Sequence, residues 1–189
     1  EKELSAEEVK ERNLRDSLII VTQFAKEYFK NNLFKHAEGK AVGLSYLKER
    51  GIRDDMIEKF ELGYSLDKWD GLTNEASKNG YNVEFLDKTG LTIAKEDRRY
   101  DRFRARVMFP IHSLSGNVIG FGGRILKQDE KAAKYLNSPE SEIYHKSKIL
   151  YGLYQAKKGI TQQDKCYLVE GYTDVIALHQ AGIENVVAS

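Results

Sequence analysis

The sequence predicts an α/β protein, and three observations carry that reading. Near the N-terminus, apolar residues recur at three- and four-residue spacing, the signature of an amphipathic helix. Beyond residue 100, the β-rich runs "RVMFPI" and "NVIGFGGRIL" flank the turn-forming "HSLSG", which predicts an antiparallel hairpin. The tail, residues 166–189, reads as strand, helix and strand, a βαβ unit that implies parallel pairing. The expected architecture is therefore an α+β N-terminal part with helices and an antiparallel sheet, followed by a short parallel unit.

With 189 residues and 41% hydrophobic content, the chain can bury a core for one domain and part of another. It contains no apolar run of membrane-spanning length. Its start, "EKELSAEEVKER", lacks the apolar centre of a signal peptide. One cysteine, Cys166, excludes an internal disulfide and a cysteine-rich zinc site. These features lead to the expectation of a cytoplasmic protein that contacts no membrane.

Taken in order, residues 1–15 are highly charged and lack an apolar stripe, so a linker or frayed start is expected. Asp16-Ser17 offers an N-cap for a helix that runs to about residue 33 on Leu18, Val21, Phe24, Ala25, Tyr28 and Phe29. "AEGKAVGLSYLKERG" predicts a second helix stopped by Gly51. "RDDMIEKFELG" predicts a third, capped by Asp54 and ended by Gly63, and shorter helices are expected near 68–79 and 82–88. Pro110 cannot donate a ladder hydrogen bond, which puts its strand at an edge or a bulge. "KQDEKAAKYLNSPESEIYHKSK" reads as irregular, and "ILYGLYQAKKG" as a helix with a Tyr-rich core face. In the tail, a strand over 166–170 leads to a helix over about 173–181, a stop at Gly182 and a strand over 184–188. Cys166 is expected to pack in the first of these strands.

Net charge, +1 overall, is unevenly placed. Residues 1–94 hold 15 basic against 18 acidic residues, residues 95–158 hold 14 against 7, and residues 159–189 hold 1 against 4. A basic middle third with aromatic residues among its charges suits a polyanion, and equally suits a solvated face with no ligand. Arg102, Arg104 and Arg106 alternate, so a strand would present them together, with Phe103 turned into the core. Arg guanidinium groups clasp phosphate in bidentate fashion. Arg124 follows "GFGG", where paired glycines permit close approach of a phosphate or form a bulge. Lys134, Tyr135 and Asn137 share an expected loop that offers charge, stacking and hydrogen bonding to a nucleotide, or is an ordinary turn at Asn-Ser-Pro. No role is assigned to His36, His112, His145 or His179.

In the tail, Glu170 stands at a strand's carboxyl end, where open parallel sheets bind ligands. An acid at the end of a buried strand needs a cation or an arginine beside it. Asp174, in the first helical turn, is favoured there by the helix dipole alone, and could also reach a metal. Magnesium prefers one or two carboxylates with phosphate oxygens and water, so partners for Glu170 must come from elsewhere.

These segments resemble a family. "VEGYTDVIAL" is similar to the opening motif of the Toprim domain of bacterial replicative primases, "RARVMFPIHSLSGNVIGFGGRIL" to the hairpin of the primase core, and "KYLNSPESEIYHKSKILYGLYQA" to the segment that joins it to the Toprim sheet. The resemblance is strong over about 98–189 and looser over 1–97. It implies a DnaG-type catalytic core with an N-terminal subdomain over 16–160 and a truncated Toprim subdomain over 161–189. By the same resemblance the parent is a DNA-directed RNA polymerase of the primosome, which makes short RNA primers on a single-stranded DNA template from ribonucleoside triphosphates with Mg²⁺ or Mn²⁺. Glu170 matches the Toprim glutamate tied to metal and catalysis, and Asp174 the acid that follows it. Arg104, Arg106, Arg124, Lys134 and Lys146 match basic positions of the nucleotide and template groove, to which Tyr135 and Asn137 are joined. Thr173 departs from the methionine often found in the motif. The family's zinc-binding domain, its Asp-x-Asp acids and its helicase-binding domain have no counterpart here, so the chain alone is expected to be inactive. The alternatives are a non-catalytic single-stranded nucleic-acid-binding module with a Toprim-like tail, and a Toprim topoisomerase or nuclease. The primase-like middle segments and the lack of a tyrosine nucleophile in a recognisable context argue against the latter. The expected location is the cytoplasm, at the replication fork.

Overall fold

In a computed structural model, residues 5–96, 98–126 and 132–189 are described. Helix α1 (Ala6–Lys35) begins well before the expected start. Ser5 is its N-cap and forms a capping box with Glu8, so the charged segment taken for a linker is helical from Ala6, and Asp16-Ser17 lie mid-helix. The apolar stripe signals only the buried half of the helix; the first turns, held by the cap, are exposed and carry no stripe. A π-helical turn (Gly39–Leu44) leads into α2 (Ser45–Glu49), which Gly51 ends at φ +74°. The cap of α3 (Asp54–Lys59) is Arg53, one residue before the expected Asp54, and Gly63 starts strand β1 (Gly63–Ser65) where a helix stop was expected. Helices α4 (Gly71–Lys78) and α5 (Val83–Lys88) lie where predicted, and a hairpin of β2 (Thr92–Lys95) and β3 (Arg98–Asp101) follows.

The central sheet has the order β1-β4-β5-β6 and is antiparallel throughout. Strands β4 (Arg106–His112) and β5 (Val118–Ile125) form the expected hairpin. β4 is central rather than at an edge. Pro110 is nonetheless tolerated because β1 pairs only as far as Met108, and the register shifts one residue later, between Ile111 and His112. "YLN", read from sequence as loop, is strand β6 (Tyr135–Asn137), paired with Gly122–Arg124.

Sheet parity divides the core. One face carries Val107, Phe109 and Ile111 and packs with Tyr144, Tyr151 and the end of the chain. The other carries Met108 and Phe121 and packs beneath Val21, Ala25 and Phe29 of α1. Phe29 meets Phe121 edge to face at 5.4 Å, and burial of each such ring is worth about 1.5–3 kcal/mol. Thr22 Oγ1 donates to the Val118 carbonyl at 2.7 Å, which fixes α1 over the hairpin.

Helix α6 (Leu153–Gln163) connects to the tail, where β7 (Tyr167–Val169) and β8 (Val186–Ala188) pair in parallel around α7 (Tyr172–Gln180), as the sequence predicts. Tyr151 and Ala188 exchange backbone hydrogen bonds of 2.8 and 3.0 Å, which tie β8 to the body. β8 is buried, but β7 is not. Leu168 is 64% exposed, and Cys166 is exposed rather than packed in a core strand.

Candidate nucleic-acid interface

Arg124 sits on β5 two residues after Gly122, so both project to the same face of the sheet. Their β6 partners, Tyr135 and Asn137, project there too. Above this face lies Tyr172, two residues from both Glu170 and Asp174. A Cβ placed on Gly122 would fall 2.4 Å from the Tyr172 ring, so only glycine admits that ring. The paired glycines lie in regular β4–β5 register, not at a bulge, and each lies under a ring. Gly122 seats Tyr172, and Gly123, on the opposite face, seats Phe103. The Tyr172 hydroxyl donates to Asn137 Oδ1 at 3.4 Å, and its ring stacks on Tyr151 at 4.1 Å. The turn that carries the acids is thus fastened to the sheet face that carries Arg124.

The guanidinium of Arg124 lies over two aromatic rings, Tyr46 at 4.7 Å and Tyr135 at 5.6 Å. The ring of Tyr46 also carries Arg50, at 5.3 Å. Arg124 Nε is buried and has no hydrogen-bond partner among the described residues, as is Arg102 Nε. Burial, with Arg102 nearby, lowers the pKa of Arg106. Two guanidiniums gathered at one ring, those of Arg50 and Arg124, form a positive spot that attracts anions. Sequence reasoning named neither Tyr46 nor Arg50. The one available signal was their i,i+4 spacing on a short helix that ends at glycine.

Of the other expected residues, Lys134 is exposed beside Tyr135, and its carbonyl accepts from Ile125 N–H at 3.0 Å. Lys146 is exposed and lines a cleft of about 870 Å³ with Tyr144, Tyr151, Tyr172 and Ser189. Burial pushes the Tyr144 hydroxyl up to about 12 and also raises Tyr172, so both tyrosines enter this cleft as neutral donors.

Two arginines depart from expectation. The alternation of Arg102, Arg104 and Arg106 fails because Ala105 adopts φ +50° and breaks the strand before β4 begins. Arg104 instead stacks on Trp69, four residues after β1, at 3.4 Å. Arg106 lies on the face opposite Arg124, is 6% exposed, and its Nη1 donates to the carbonyls of Gly123 (3.1 Å), Ala133 (2.9 Å) and Lys134 (3.4 Å). It staples β4 to the chain entering β6. Phe103 is buried as expected. Trp69, 62% exposed and edge-on to Tyr100 at 6.0 Å, is a further aromatic element that the sequence reading passed over.

Glu170 and Asp174 are both exposed, because β7 ends at the surface rather than in the buried strand expected, and neither has a hydrogen-bond or ion-pair partner among the described residues. Two free carboxylates four residues apart at a strand-to-helix turn are a hard, oxygen-only donor set of the kind Mg²⁺ and Mn²⁺ take. Among the described residues, no group of three or more His, Cys, Asp or Glu side chains is placed to hold a metal. No described helix is long and apolar enough to cross a membrane.

Comparison with known proteins gives two adjoining matches. Residues 28–157 match the family described as the N-terminal domain of the DNA primase catalytic core, and residues 164–189 match the Toprim domain. A DNA primase of Halalkalibacterium halodurans is 43% identical over 183 residues, covering 96% of this chain and 30% of that protein. The catalytic domain of a DnaG primase solved with single-stranded DNA superimposes with a TM-score of 0.85 at 38% identity, over 94% of this chain and 56% of that one. A structure of the zinc-binding and RNA polymerase domains of Aquifex aeolicus primase gives 0.83 at 34% identity, over 99% and 44%. The chain thus spans less than a third of the length of the curated relative and about half of the solved chains.

Proposed function

The chain belongs to the DnaG-type DNA primase catalytic core family, and from that premise we propose that it serves in a DNA-directed RNA polymerase that lays short RNA primers on single-stranded DNA. The observation that supports the reading is the seating of Tyr172, two residues from both Glu170 and Asp174, on Gly122 and Asn137 of the face that bears Arg124 and Tyr135. Phosphates of a template or of a ribonucleoside triphosphate would meet Arg124, Lys134 and Lys146, and a base would stack on an exposed ring such as Tyr135. Arg104 on Trp69 would extend the strand's path along the sheet. Arg106 acts indirectly, by holding the β6 entry in place.

Glu170, with Asp174, would hold Mg²⁺ or Mn²⁺. Such an ion supplies neutralising charge where phosphoryl oxygens become more negative during nucleotidyl transfer. The resemblance alone brings in the replicative helicase as a partner and the cytoplasmic replication fork as the place of action, while the zinc-binding domain of the Aquifex aeolicus relative supports zinc in a further domain of the parent.

The test is fluorescence anisotropy of a labelled single-stranded oligonucleotide across a salt series. Affinity falls steeply with salt, and Lys134→Ala and Lys146→Ala weaken it uniformly across sequences. A salt-independent affinity, or one untouched by both substitutions, removes the interface. In parallel, Mn²⁺ titration followed by the paramagnetic signal of the free ion reads the carboxylates. Glu170→Gln weakens binding if the ligand role is right, and equal binding removes it.

A further inference from the structure

We propose that Gln180 is a positioning residue that locks the turn between α2 and α3 to the helix carrying Asp174, so that the guanidinium cluster and the acidic turn are held at a fixed separation. This rests on the primase reading above. Gln180 closes α7, and its side-chain amide faces the backbone of the body. Its Oε1 accepts from Arg53 N–H at 2.9 Å, and its Nε2 donates to the Gly51 carbonyl at 2.8 Å. A carbonyl and an N–H two residues apart on one chain are the pair that a neighbouring strand would engage. The amide therefore substitutes for a strand partner along 51–53. It also satisfies the N–H of Arg53, the N-cap of α3, which lies outside the helix's own hydrogen bonds.

Both ends of α7 are then tied to functional elements. Arg50 directly precedes Gly51, and its guanidinium shares the Tyr46 ring with Arg124. At the other end, Tyr172 stacks on Tyr151 and reaches Asn137. Asp174 lies six residues before Gln180, about 9 Å along a rigid helix. The other contacts on this flank are the apolar packing of Val175 and Ile176 with the α3 side chains, a ring contact and one surface ion pair. Phe60 meets His179 edge-on at 5.0 Å, a buried ring contact that packs this flank. Lys59 and Glu184 pair at 2.5 Å with partly exposed side chains, a contact worth about 0–1 kcal/mol. The Gln180 amide gives this flank its directional restraint.

Cys166, exposed and the single cysteine of the sequence, allows the test. Spin labels at Cys166 and at a Glu49→Cys substitution on the exposed end of α2 give a distance distribution by pulsed EPR. With Gln180 in place, a single narrow peak is expected. Gln180→Met, which keeps length and helix propensity but removes the amide, should abolish that peak while metal-free affinity for single-stranded DNA stays at the wild-type value. Gln180→Glu, which keeps the acceptor for Arg53 but loses the donor to Gly51, should fall between the two. A contact that only stabilises the fold would lower the unfolding midpoint and leave the narrow peak intact, and that result overturns the proposal. Hydrogen exchange on the unsubstituted chain guards against a variant that fails to fold. Slow exchange of the Arg53 amide supports the lock, and exchange at the free-peptide rate overturns it. If the unsubstituted chain failed to bind DNA, the primase reading of the interface would fall while the distance result stood.

Discussion

Glu61 offers a sharp test of how this fold is held together. It leaves α3 at φ +54° and turns its carboxylate between two buried groups. Lys26 Nζ donates to Oε1 at 2.6 Å from α1, and His112 Nε2 lies 2.7 Å from Oε2 at the end of β4. The hydrogen bond from His112, with Lys26, lowers the carboxyl from 4.5 to about 2 against the cost of burial. A depressed carboxylate stabilises the native state above its unfolded pKa, and that contribution is lost as pH falls through the folded value. The full shift corresponds to about 3 kcal/mol. The side chain is 29% exposed, so screening reduces this to about 2 kcal/mol. Glu61→Gln should therefore lower stability by about 2 kcal/mol at pH 7 in guanidinium unfolding. The remaining partner of Lys26, Glu27 at 3.0 Å, keeps the loss from being larger. Between pH 5 and pH 2.5 the wild-type chain should lose this increment progressively, and the variant should show a correspondingly shallower decline. Other depressed carboxylates, Asp87 and Glu184 among them, contribute equally to both proteins and cancel in the difference. Equal midpoints at pH 7 with parallel pH profiles would refute the coupling of α1, the α3 turn and β4 through this carboxylate.

Gly122→Ala should drive the Tyr172 ring off the sheet, with a loss of about 1–3 kcal/mol and a changed near-ultraviolet tyrosine signal; unchanged stability would contradict the close seating. Lys134→Ala and Lys146→Ala should each reduce the slope of log affinity against log salt by about 1, and a slope equal to that of the wild-type chain would remove the residue concerned from the phosphate path. Cys166 should react with a thiol reagent in the folded state about as fast as in the unfolded chain, whereas protection would contradict its exposed position.

The elements that sequence reasoning placed well are those in which local chemistry and tertiary contact agree. The β4–β5 hairpin has its turn residues between two β-rich runs, and the tail has its apolar strands about a helix, so both were legible. Elements held by distant partners were less so. Tyr135–Asn137 looks like a loop because Asn-Ser-Pro follows it, yet it is a strand because Gly122–Arg124 supplies a ladder. The first turns of α1 bury almost nothing and rest on the Ser5–Glu8 box, so periodicity could not reveal them. Exposure of β7 inverted two expectations at once, the buried Cys166 and the buried strand end at Glu170.

For the site, membership is decided by parity and not by charge. Arg106 and Arg124 carry the same guanidinium group and sit on adjacent strands, yet Arg106 is turned to the face that α1 covers and donates its Nη1 to backbone carbonyls. Arg124 is turned to the face where Tyr172 rests. The split is set by the hairpin register, which pairs Arg124 with Val107 and leaves Arg106 opposite Ile125, while Ala105 at φ +50° breaks the alternation that would have joined Arg104 to Arg106, and alanine gives no sign that it will adopt that conformation. Composition could therefore locate a basic third of the chain but not sort its arginines. Gly122 does sort them, because a position that must stay open for an incoming ring marks the face on which the acidic turn has to land.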